Sequence, residues 1–253
     1  MINIAKKIVL VAGKEIMKIY EGDFDVEIKE DNSPITIADK KANEIILKEL
    51  ENTYIPVLSE EKKDSLNRLD SEYLWVVDPI DGTKDFINKT GEFSIMIGLV
   101  KNGKPIMGVV YAPAKNKLYY AQAGKGSFLE ENGETIKLEI NKKNHKILIS
   151  RNHTTDKEFK LIEELNLEAI ACGSIGVKFG LIAEGKAGNY LNLSNKLKEW
   201  DLVAPQIILE EAGGKVTDTL GNCITYNTKQ VNLENGCIGT NKTNHQLILD
   251  KLK

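Results

Sequence analysis

The segment "LWVVDPIDGTKDF", residues 74–86, constrains the fold more than any other part of the chain. The apolar run at residues 74–77 is typical of a strand buried on both faces. It leads directly into Asp78 and Asp81, so two carboxylates lie at the tip of one buried strand. Such carboxylates repel each other, and their charged forms are costly to bury without a cation. The segment therefore predicts either a simple Asp-Gly turn or a site for a positively charged partner.

Apolar periodicity along the chain predicts a mixed α/β (α+β) protein. The first half, residues 1–135, begins with helices at about 3–21 and 36–51 and continues as an antiparallel meander. Asn102-Gly103 is a strong signal for a hairpin turn in that meander. The second half, residues 136–253, alternates strands and helices. Without repeats or flexible linkers between the halves, we expect one compact unit.

Composition excludes several classes of function. The net charge of −3 gives no basic field for nucleic acid or an anionic membrane. No apolar run approaches the ~20 residues of a membrane span. The N-terminal segment is interpreted as an amphipathic helix rather than a signal peptide. Three scattered cysteines favour a reducing compartment over a disulfide framework. We expect a cytoplasmic protein with a small-molecule partner; the sequence leaves monomer and homodimer open.

Three further acidic positions each allow a structural interpretation. Thr36 and Asp39 fit an S/T-x-x-D signal for a helix start, so Asp39 could cap the helix. Glu60-Glu61 could be a solvated charge run, and Asp201 an ordinary N-cap. Considered together with the strand-end aspartates, however, they supply only carboxylate oxygens. Such donors suit hard divalent ions, above all magnesium.

A carboxylate cluster of this size predicts two or three magnesium ions about 4 Å apart, the arrangement of metal-assisted phosphoester hydrolysis. The amides of Gly82 and Thr83, at the start of a short helix, would contact the same phosphate. "DPIDGT" is also similar to the D-x-D-G-T motif of haloacid-dehalogenase phosphatases. Here two residues rather than one separate the aspartates, and no G-D-x-x-x-D follows. That alternative is therefore disfavoured.

The motifs resemble those of the inositol monophosphatase superfamily of magnesium-dependent, lithium-sensitive phosphatases. The pattern of that family is an early aspartate, E-E, D-P-[IL]-D-[GS]-T, and W-D-x-x-[AG] leading to A-G-G. This chain has Asp39, Glu60-Glu61, "DPIDGT", Trp200-Asp201 and "AGG" at residues 212–214, in the same order. The resemblance implies a layered α/β/α/β/α sandwich.

The resemblance also implies roles for individual residues. The metal ligands would be Glu60, Asp78, the Ile80 carbonyl, Asp81 and Asp201. The catalytic residues would be Asp39, Glu61 and Thr83, with Thr83 helping to remove a proton from the attacking water. Activity is then expected to fall in acid and to be lost in excess chelator.

Within the superfamily, "DGTKDFINKTGEF" and "LISRNH" are similar to segments of 3′(2′),5′-bisphosphate nucleotidases. These enzymes convert adenosine 3′,5′-bisphosphate to AMP. The resemblance implies the substrate-binding residues Gly82, Thr83, Lys84, Ser150, His153, Ser174 and Lys178. Lys178 or Arg151 would supply the cation for the second phosphate. In many bacterial members the stretch before the lysine is Gly-Ser-Ser-x-Lys, whereas here Gly176 and Val177 intervene.

The leading hypothesis is therefore a bisphosphate nucleotidase serving sulfate assimilation or nucleotide salvage. An inositol-1-monophosphatase or a fructose-1,6-bisphosphatase would share the same metal motifs. A non-catalytic regulator that binds nucleotide or metal is a third hypothesis from another functional class.

Overall fold

The computed structural model describes residues 1–30 and 32–253. The helices of these residues are α1 (Ile2–Glu21), α2 (Ile37–Glu51), α3 (Thr83–Ile87), α4 (Asp156–Glu164), α5 (Ile175–Ala183), α6 (Glu199–Glu211) and α7 (His245–Leu252). The strands are β1 (Val26–Ile28), β2 (Pro34–Thr36), β3 (Val57–Ser59), β4 (Tyr73–Asp81), β5 (Ser94–Lys101), β6 (Lys104–Ala112), β7 (Lys117–Gln122), β8 (Ser127–Glu131), β9 (Glu134–Lys137), β10 (Ile147–Ser150), β11 (Ala169–Cys172), β12 (Asn189–Asn192), β13 (Lys215–Thr217) and β14 (Cys237–Thr240).

The larger sheet has seven strands in sequence order, from β3 to β9. Strands β4 to β9 form the predicted antiparallel meander, and β3 adds to it in parallel. Asn102 and Gly103 both have positive φ, which is the geometry of a tight hairpin turn. The meander is therefore confirmed.

Helices α1 and α2 cover one face of this sheet. Their buried side chains form a core with the inward-facing residues of β4, β5 and β6. In α1 the buried positions recur at helical spacing, including Ala5, Ile8, Ala12 and Ile16. The predicted amphipathic first helix is confirmed, and it is packed against the protein's own sheet.

Helices α5 and α6 fill the space between the two sheets, in a core that draws residues from both halves of the chain. Two glycines allow α6 to lie close to the larger sheet. A Cβ on Gly98 would lie 2.3 Å from Val203 Cγ1, and one on Gly108 would lie 2.5 Å from the Ala204 carbonyl oxygen. This close approach positions the start of α6 beside the end of β4.

The smaller sheet has the order β11-β10-β12-β14-β13. Its outer face packs on α4 and α7, with Leu161, Ile162, Ile248 and Leu249 in the core. The layers are thus α1 and α2, the seven-stranded sheet, α5 and α6, the five-stranded sheet, and α4 and α7. This is the predicted α/β/α/β/α sandwich, and the fold prediction is confirmed.

The structure differs from the sequence-based prediction in local elements. The hairpin β1–β2 and the strand β11 had no clear alternating pattern and were not predicted. Helix α6 begins at Glu199, so Asp201 lies inside its first turn and not at the N-cap position considered from sequence. Among the described residues, no helix combines the length and apolarity needed to cross a membrane.

Candidate active site

The end of β4 places the two central aspartates. Asp78 is opposite Met96 and Asp81 is opposite Ser94, with an irregularity in register between them. The aspartates therefore do not simply alternate between the two faces of the sheet. Asp78 is 2% exposed, and its Oδ1 has no hydrogen-bond partner. A buried, unpaired carboxylate oxygen is costly, and this one needs a positively charged or proton-donating partner.

Asp81 is held by residues from the other half of the chain. Its Oδ2 accepts hydrogen bonds from the Ser174 hydroxyl and from the Gly176 amide, the latter at 2.8 Å. The hydroxyl of Ser94 lies 3.4 Å from the same oxygen. All three contacts go to Oδ2, which fixes the direction in which Oδ1 points.

Asp39 has two roles in the structure. Its Oδ2 accepts from the amide and hydroxyl of Thr36, both at 2.7 Å, which completes the capping box of α2. Its Oδ1 accepts from the hydroxyl of Thr83 at 3.2 Å. The helix cap predicted from sequence is therefore confirmed. The same carboxylate also orients Thr83. The Thr83 hydroxyl lies 3.2 Å from the Ile80 carbonyl oxygen.

Glu60 and Glu61 follow β3 and share one counter-ion. Lys29, which directly follows β1, has its ammonium 3.0 Å from Glu60 Oε1 and also pairs with Glu61 Oε1. These ion pairs raise the pKa of Lys29. Glu60 and Glu61 are thus partly buried and paired, which contradicts the alternative of a solvated charge run.

Asp201 lies in the first turn of α6 and reaches back to the start of the helix. Its Oδ2 accepts from the Lys198 amide at 2.6 Å. The sequence-based alternative of Asp201 as the N-cap itself is therefore wrong, because Lys198 occupies that position. The carboxylate still lies at the positive end of α6, which favours its charged form.

The carboxylates form one electrostatic neighbourhood. The pKa of Asp78 is raised well above its usual value, first by burial and then by Glu60, Asp81, Asp201 and Asp39. Burial, together with the charges of Glu61 and Asp39, raises the pKa of Glu60 to about 7 even though Lys29 opposes the shift. Burial also raises the pKa of Asp81, Asp201 and Asp39. Negative charge therefore accumulates in this cluster, and the protein's own basic groups and hydrogen-bond donors offset only part of it.

The carboxylate oxygens of these residues are suitable ligands for a divalent metal ion, although the side chains are not in ligand positions in this structure. Within residues 1–30 and 32–253, no three acidic, histidine or cysteine side chains converge closely enough to hold an ion. The hydrogen bonds and ion pairs described above explain this, since Glu60 is turned to Lys29 and Asp81 Oδ2 to Ser174. The unpaired Asp78 oxygen and the all-oxygen donor set match magnesium. The ligand assignments of Glu60, Asp78, Ile80, Asp81 and Asp201 stay a prediction.

The predicted phosphate-binding segments lie next to this cluster. Gly82 has φ of 92° and precedes α3, which carries Thr83 and Lys84. A Cβ on Gly82 would lie 3.0 Å from the Glu92 carbonyl oxygen and 3.2 Å from the Ser174 amide nitrogen. Glycine is therefore needed here both for its backbone conformation and for the close packing of three chain segments.

Two of the predicted substrate contacts have partners within the protein. Lys178 is 3% exposed, and its ammonium donates to the carbonyls of Cys172, at 3.2 Å, and Gly173. The Ser174 hydroxyl, besides its contact with Asp81, accepts from the Val177 amide at the start of α5. Both residues thus organise the turn that holds Asp81. Their direct contacts with substrate stay predictions.

Arg151, the other predicted cation for a second phosphate, is also engaged. Its guanidinium donates to Asp85 Oδ1 at 3.1 Å and to Glu92. The pKa of Arg151 is raised by these two carboxylates. Ser150 ends β10, and its carbonyl accepts from Thr154 at 2.6 Å. Arg151 therefore serves mainly to join the loop after β10 to α3.

Sequence analysis missed Lys29, Ser94, Asp85 and Glu92. Asp85 and Glu92 lie in the quoted "DGTKDFINKTGEF" segment, so their motif was visible although their partner was not. Lys29 and Ser94 carried no local signal, because each reaches the cluster only through tertiary packing.

Comparison with known proteins agrees with this geometry. The family model "Inositol monophosphatase family" matches residues 1–253. The chain belongs to the inositol monophosphatase family. Members of this family are generally metal-dependent phosphatases.

Among its relatives is the 3′(2′),5′-bisphosphate nucleotidase CysQ of Salmonella typhimurium, 37% identical over 89% of this chain and 93% of the relative. The crystal structure of CysQ from Bacteroides thetaiotaomicron superposes with a TM-score of 0.81 at 35% identity, covering 94% of this chain and 96% of that one. The inositol monophosphatase II of Staphylococcus aureus with bound 2′-AMP has a TM-score of 0.80 at 27% identity, covering 99% of this chain and 92% of that one.

Proposed function

We propose that this protein is a Mg²⁺-dependent 3′(2′),5′-bisphosphate nucleotidase that hydrolyses adenosine 3′,5′-bisphosphate to AMP and phosphate. The observation that carries the proposal is the similarity to CysQ enzymes, at 37% and 35% identity over nearly the whole chain. The acidic cluster around the unpaired Asp78 oxygen supports it independently. Two or three ions would be held by Glu60, Asp78, Asp81, Asp201 and the Ile80 carbonyl.

The protein's own groups handle the proton of the attacking water. The single hydrogen of the Thr83 hydroxyl lies between two acceptors, Asp39 Oδ1 and the Ile80 carbonyl oxygen, each 3.2 Å from the hydroxyl oxygen, so its lone pairs remain to accept a hydrogen bond from a water. Burial raises the pKa of Asp39, which makes this carboxylate a better proton acceptor than an exposed aspartate. When bound, magnesium would polarise the phosphate and lower the pKa of the water.

Glu61 is the second group proposed to orient Thr83 or the water. It is ion-paired with Lys29. The amides of Gly82 and Thr83 would contact the phosphate that is cleaved. Lys84, Ser150 and His153 would contact the rest of the nucleotide. Water attack in line would need no phosphorylated enzyme.

A substrate profile tests the proposal. Purified protein with Mg²⁺ is compared on adenosine 3′,5′-bisphosphate, inositol 1-phosphate and fructose 1,6-bisphosphate at equal concentrations. We expect the highest kcat/KM for the nucleotide. A preference for the inositol or fructose compound would assign the chain to another branch of the same family.

The same assay tests the non-catalytic alternative. Phosphate release that depends on Mg²⁺ and is lost in Asp81→Asn would exclude it. Glu139→Gln is a suitable control, because that carboxylate is exposed and distant from the cluster in the fold.

A further inference from the structure

The loop that follows β3 is held by a buried arginine. This loop carries Glu60 and Glu61 and continues to Arg68, which is 3% exposed. The guanidinium donates to Asp64 Oδ2 from Nε at 3.0 Å and from Nη2 at 2.7 Å. The Leu66 amide donates to the other oxygen of Asp64 at 2.9 Å. The loop is therefore folded back on itself shortly after the two glutamates.

The same arginine also contacts a segment far away in sequence, residues 227–228. Arg68 Nη1 donates to Asn227 Oδ1 at 2.9 Å, and Nη2 donates to the Thr228 carbonyl at 3.0 Å. In return, the Asn227 side chain donates to the carbonyls of Arg68 at 3.0 Å and Ser71 at 3.3 Å. Side chains and backbone thus both join the loop after β3 to segment 227–228.

A buried glutamate joins the start of α6 to the same segment. Glu199, the first residue of α6, is fully buried. One of its oxygens accepts from the Asn227 amide at 2.9 Å. The other accepts from the amide and the hydroxyl of Thr228, at 2.9 and 3.0 Å. Asp201 lies two residues further along the same helical turn, so its backbone is also tied to segment 227–228.

Joining two chain segments through buried charges contributes little to stability by itself. Arg68 and Glu199 bring opposite charges into the interior, and the loss of their hydration offsets much of the attraction that they gain there. The carboxylates of Glu60 and Asp201 are like charges in one cluster, and their repulsion acts to separate the segments that carry them. A rigid connection between these two segments opposes that separation.

We infer that Arg68 and Glu199 are positioning residues for the metal site. Through segment 227–228 they hold the loop that carries Glu60 and the helical turn that carries Asp201 at the spacing that Mg²⁺ binding requires. This inference rests on the proposed function, which assigns Glu60 and Asp201 as ligands. Both positioning side chains are turned toward segment 227–228, so they act on the ion only through the residues that they hold.

The test is a calorimetric titration of Mg²⁺ into the whole protein without nucleotide. Arg68→Lys keeps the charge but loses the planar fork that reaches three partners. Glu199→Gln keeps the size of the side chain but turns an NH₂ group toward an N–H donor. Each substitution should raise the Kd for Mg²⁺ about 10- to 100-fold. The double variant should bind no more weakly than the weaker single variant, because either substitution breaks the same connection.

Steady-state kinetics provide a second measurement. With adenosine 3′,5′-bisphosphate, the Mg²⁺ concentration that gives half of the maximal rate should rise together with the Kd. The value of kcat at saturating Mg²⁺ should stay close to wild type, because the ligands themselves are unchanged.

Two further variants separate positioning from a general loss of stability. His245→Leu changes a buried residue of α7, in the outermost layer, and should destabilise the fold without changing the Kd for Mg²⁺. Asn227→Gly removes the side-chain contacts with Arg68 but keeps the amide that reaches Glu199. Glycine accommodates the φ of 58° at this position, so this variant should fold even if the other two do not. Its Kd should rise about tenfold.

An unchanged Kd in any folded variant of Arg68, Glu199 or Asn227 would overturn the inference. Equally weak binding in His245→Leu would also overturn it, because the effect would then follow stability alone. Fully additive losses in the double variant would contradict a common connection. Wild type that binds Mg²⁺ but releases no phosphate from the bisphosphate would contradict the proposed function, and the calorimetric comparison would still decide this inference. Wild type that binds no Mg²⁺ would overturn both.

Discussion

Two buried polar regions of this protein are built on opposite principles. In the acidic cluster, Asp78 keeps an oxygen without a partner, and neighbouring carboxylates raise its pKa. At the start of α7, His245 is 2% exposed and lies between two hydroxyls of the smaller sheet, those of Thr217 and Thr240, each at 3.0 Å. The first region leaves a buried carboxylate oxygen without a partner, whereas the polar groups of the second are satisfied by the protein itself.

The hydrogen bonds around His245 assign its neutral form. Thr217 donates to the Asp218 carbonyl, so it accepts from Nε2–H of the ring. Thr240 accepts from the Lys242 amide and donates its hydroxyl to Nδ1. A proton on Nδ1 would lack an acceptor in this arrangement. Burial, together with the positive charge of Lys215, lowers the pKa of His245 to about 4. The region around His245 therefore stabilises the fold, while the buried, mutually repelling carboxylates of the acidic cluster reduce stability.

The largest effect is expected for Asp78→Asn. Loss of this proposed ligand should lower Mg²⁺-dependent phosphate release by at least about 100-fold, since even groups behind the ligands typically contribute 10–100-fold. In chelator at pH 8 the same variant should melt at a higher temperature than wild type, because it removes a buried charge. This increase in melting temperature should become smaller toward pH 5, where the wild-type carboxylates take up protons.

Thermal melts with Asp250→Asn, an exposed carboxylate on α7, provide the control for Asp78→Asn. A metal-free Asp78→Asn protein that is less stable than wild type at pH 8 would show that the cluster is not electrostatically strained.

The second effect concerns magnesium itself. At a concentration about 100 times its dissociation constant, the ion should add about 2.7 kcal/mol to the free energy of unfolding. For a chain of this size that corresponds to a rise of roughly 5–10 °C in Tm. Differential scanning calorimetry with and without chelator measures it. An equal rise in Asp78→Asn would mean that the ion binds somewhere else.

His245→Leu should destabilise the fold by about 1–3 kcal/mol, because two threonine hydroxyls lose their partner in a buried site. The pH dependence has a definite sign. The contribution of His245 to the free energy of unfolding falls as pH falls from 6.5 toward 4, since only the unfolded histidine takes up a proton in that range. The difference in the free energy of unfolding between wild type and His245→Leu should therefore become smaller as the pH falls through this range. Urea titrations at pH 7.5, 5.5 and 4.5 measure it, and a constant difference would contradict the assignment.

The smallest effect is expected for Lys29→Met. Removing this ammonium takes one ion pair from Glu60 and one from Glu61, which should lower metal-free stability by about 1 kcal/mol, as for a partly exposed ion pair. Magnesium should then raise Tm more in the variant than in wild type. An equal rise in Tm in the two proteins would show that Lys29 and the magnesium ion do not compete for these carboxylates.

The fold was largely predictable from particular stretches of sequence. The apolar run at residues 74–77, the Asn102-Gly103 turn and the periodicity of α1 each specify one element through short-range chemistry. The boundary of α6 was less accessible, because Lys198 rather than Asp201 takes the cap position. The edge strand β11 was missed because only Cys172 among its residues is buried, and an exposed strand has no alternating pattern to read.

The sequence by itself determined which residue types are available to a site, namely carboxylates and one threonine, because residue types and their spacing limit what a site can bind. Only the tertiary structure decided which oxygens are free. Ser174 and Gly176 hold one oxygen of Asp81 from about a hundred positions away in the chain, Lys29 takes up Glu60 and Glu61, and Lys178 and Arg151 are engaged internally. Hydrogen bonds and ion pairs act over a few ångströms in space, whatever the separation in sequence, so the partners of a polar group are fixed by packing and not by its motif.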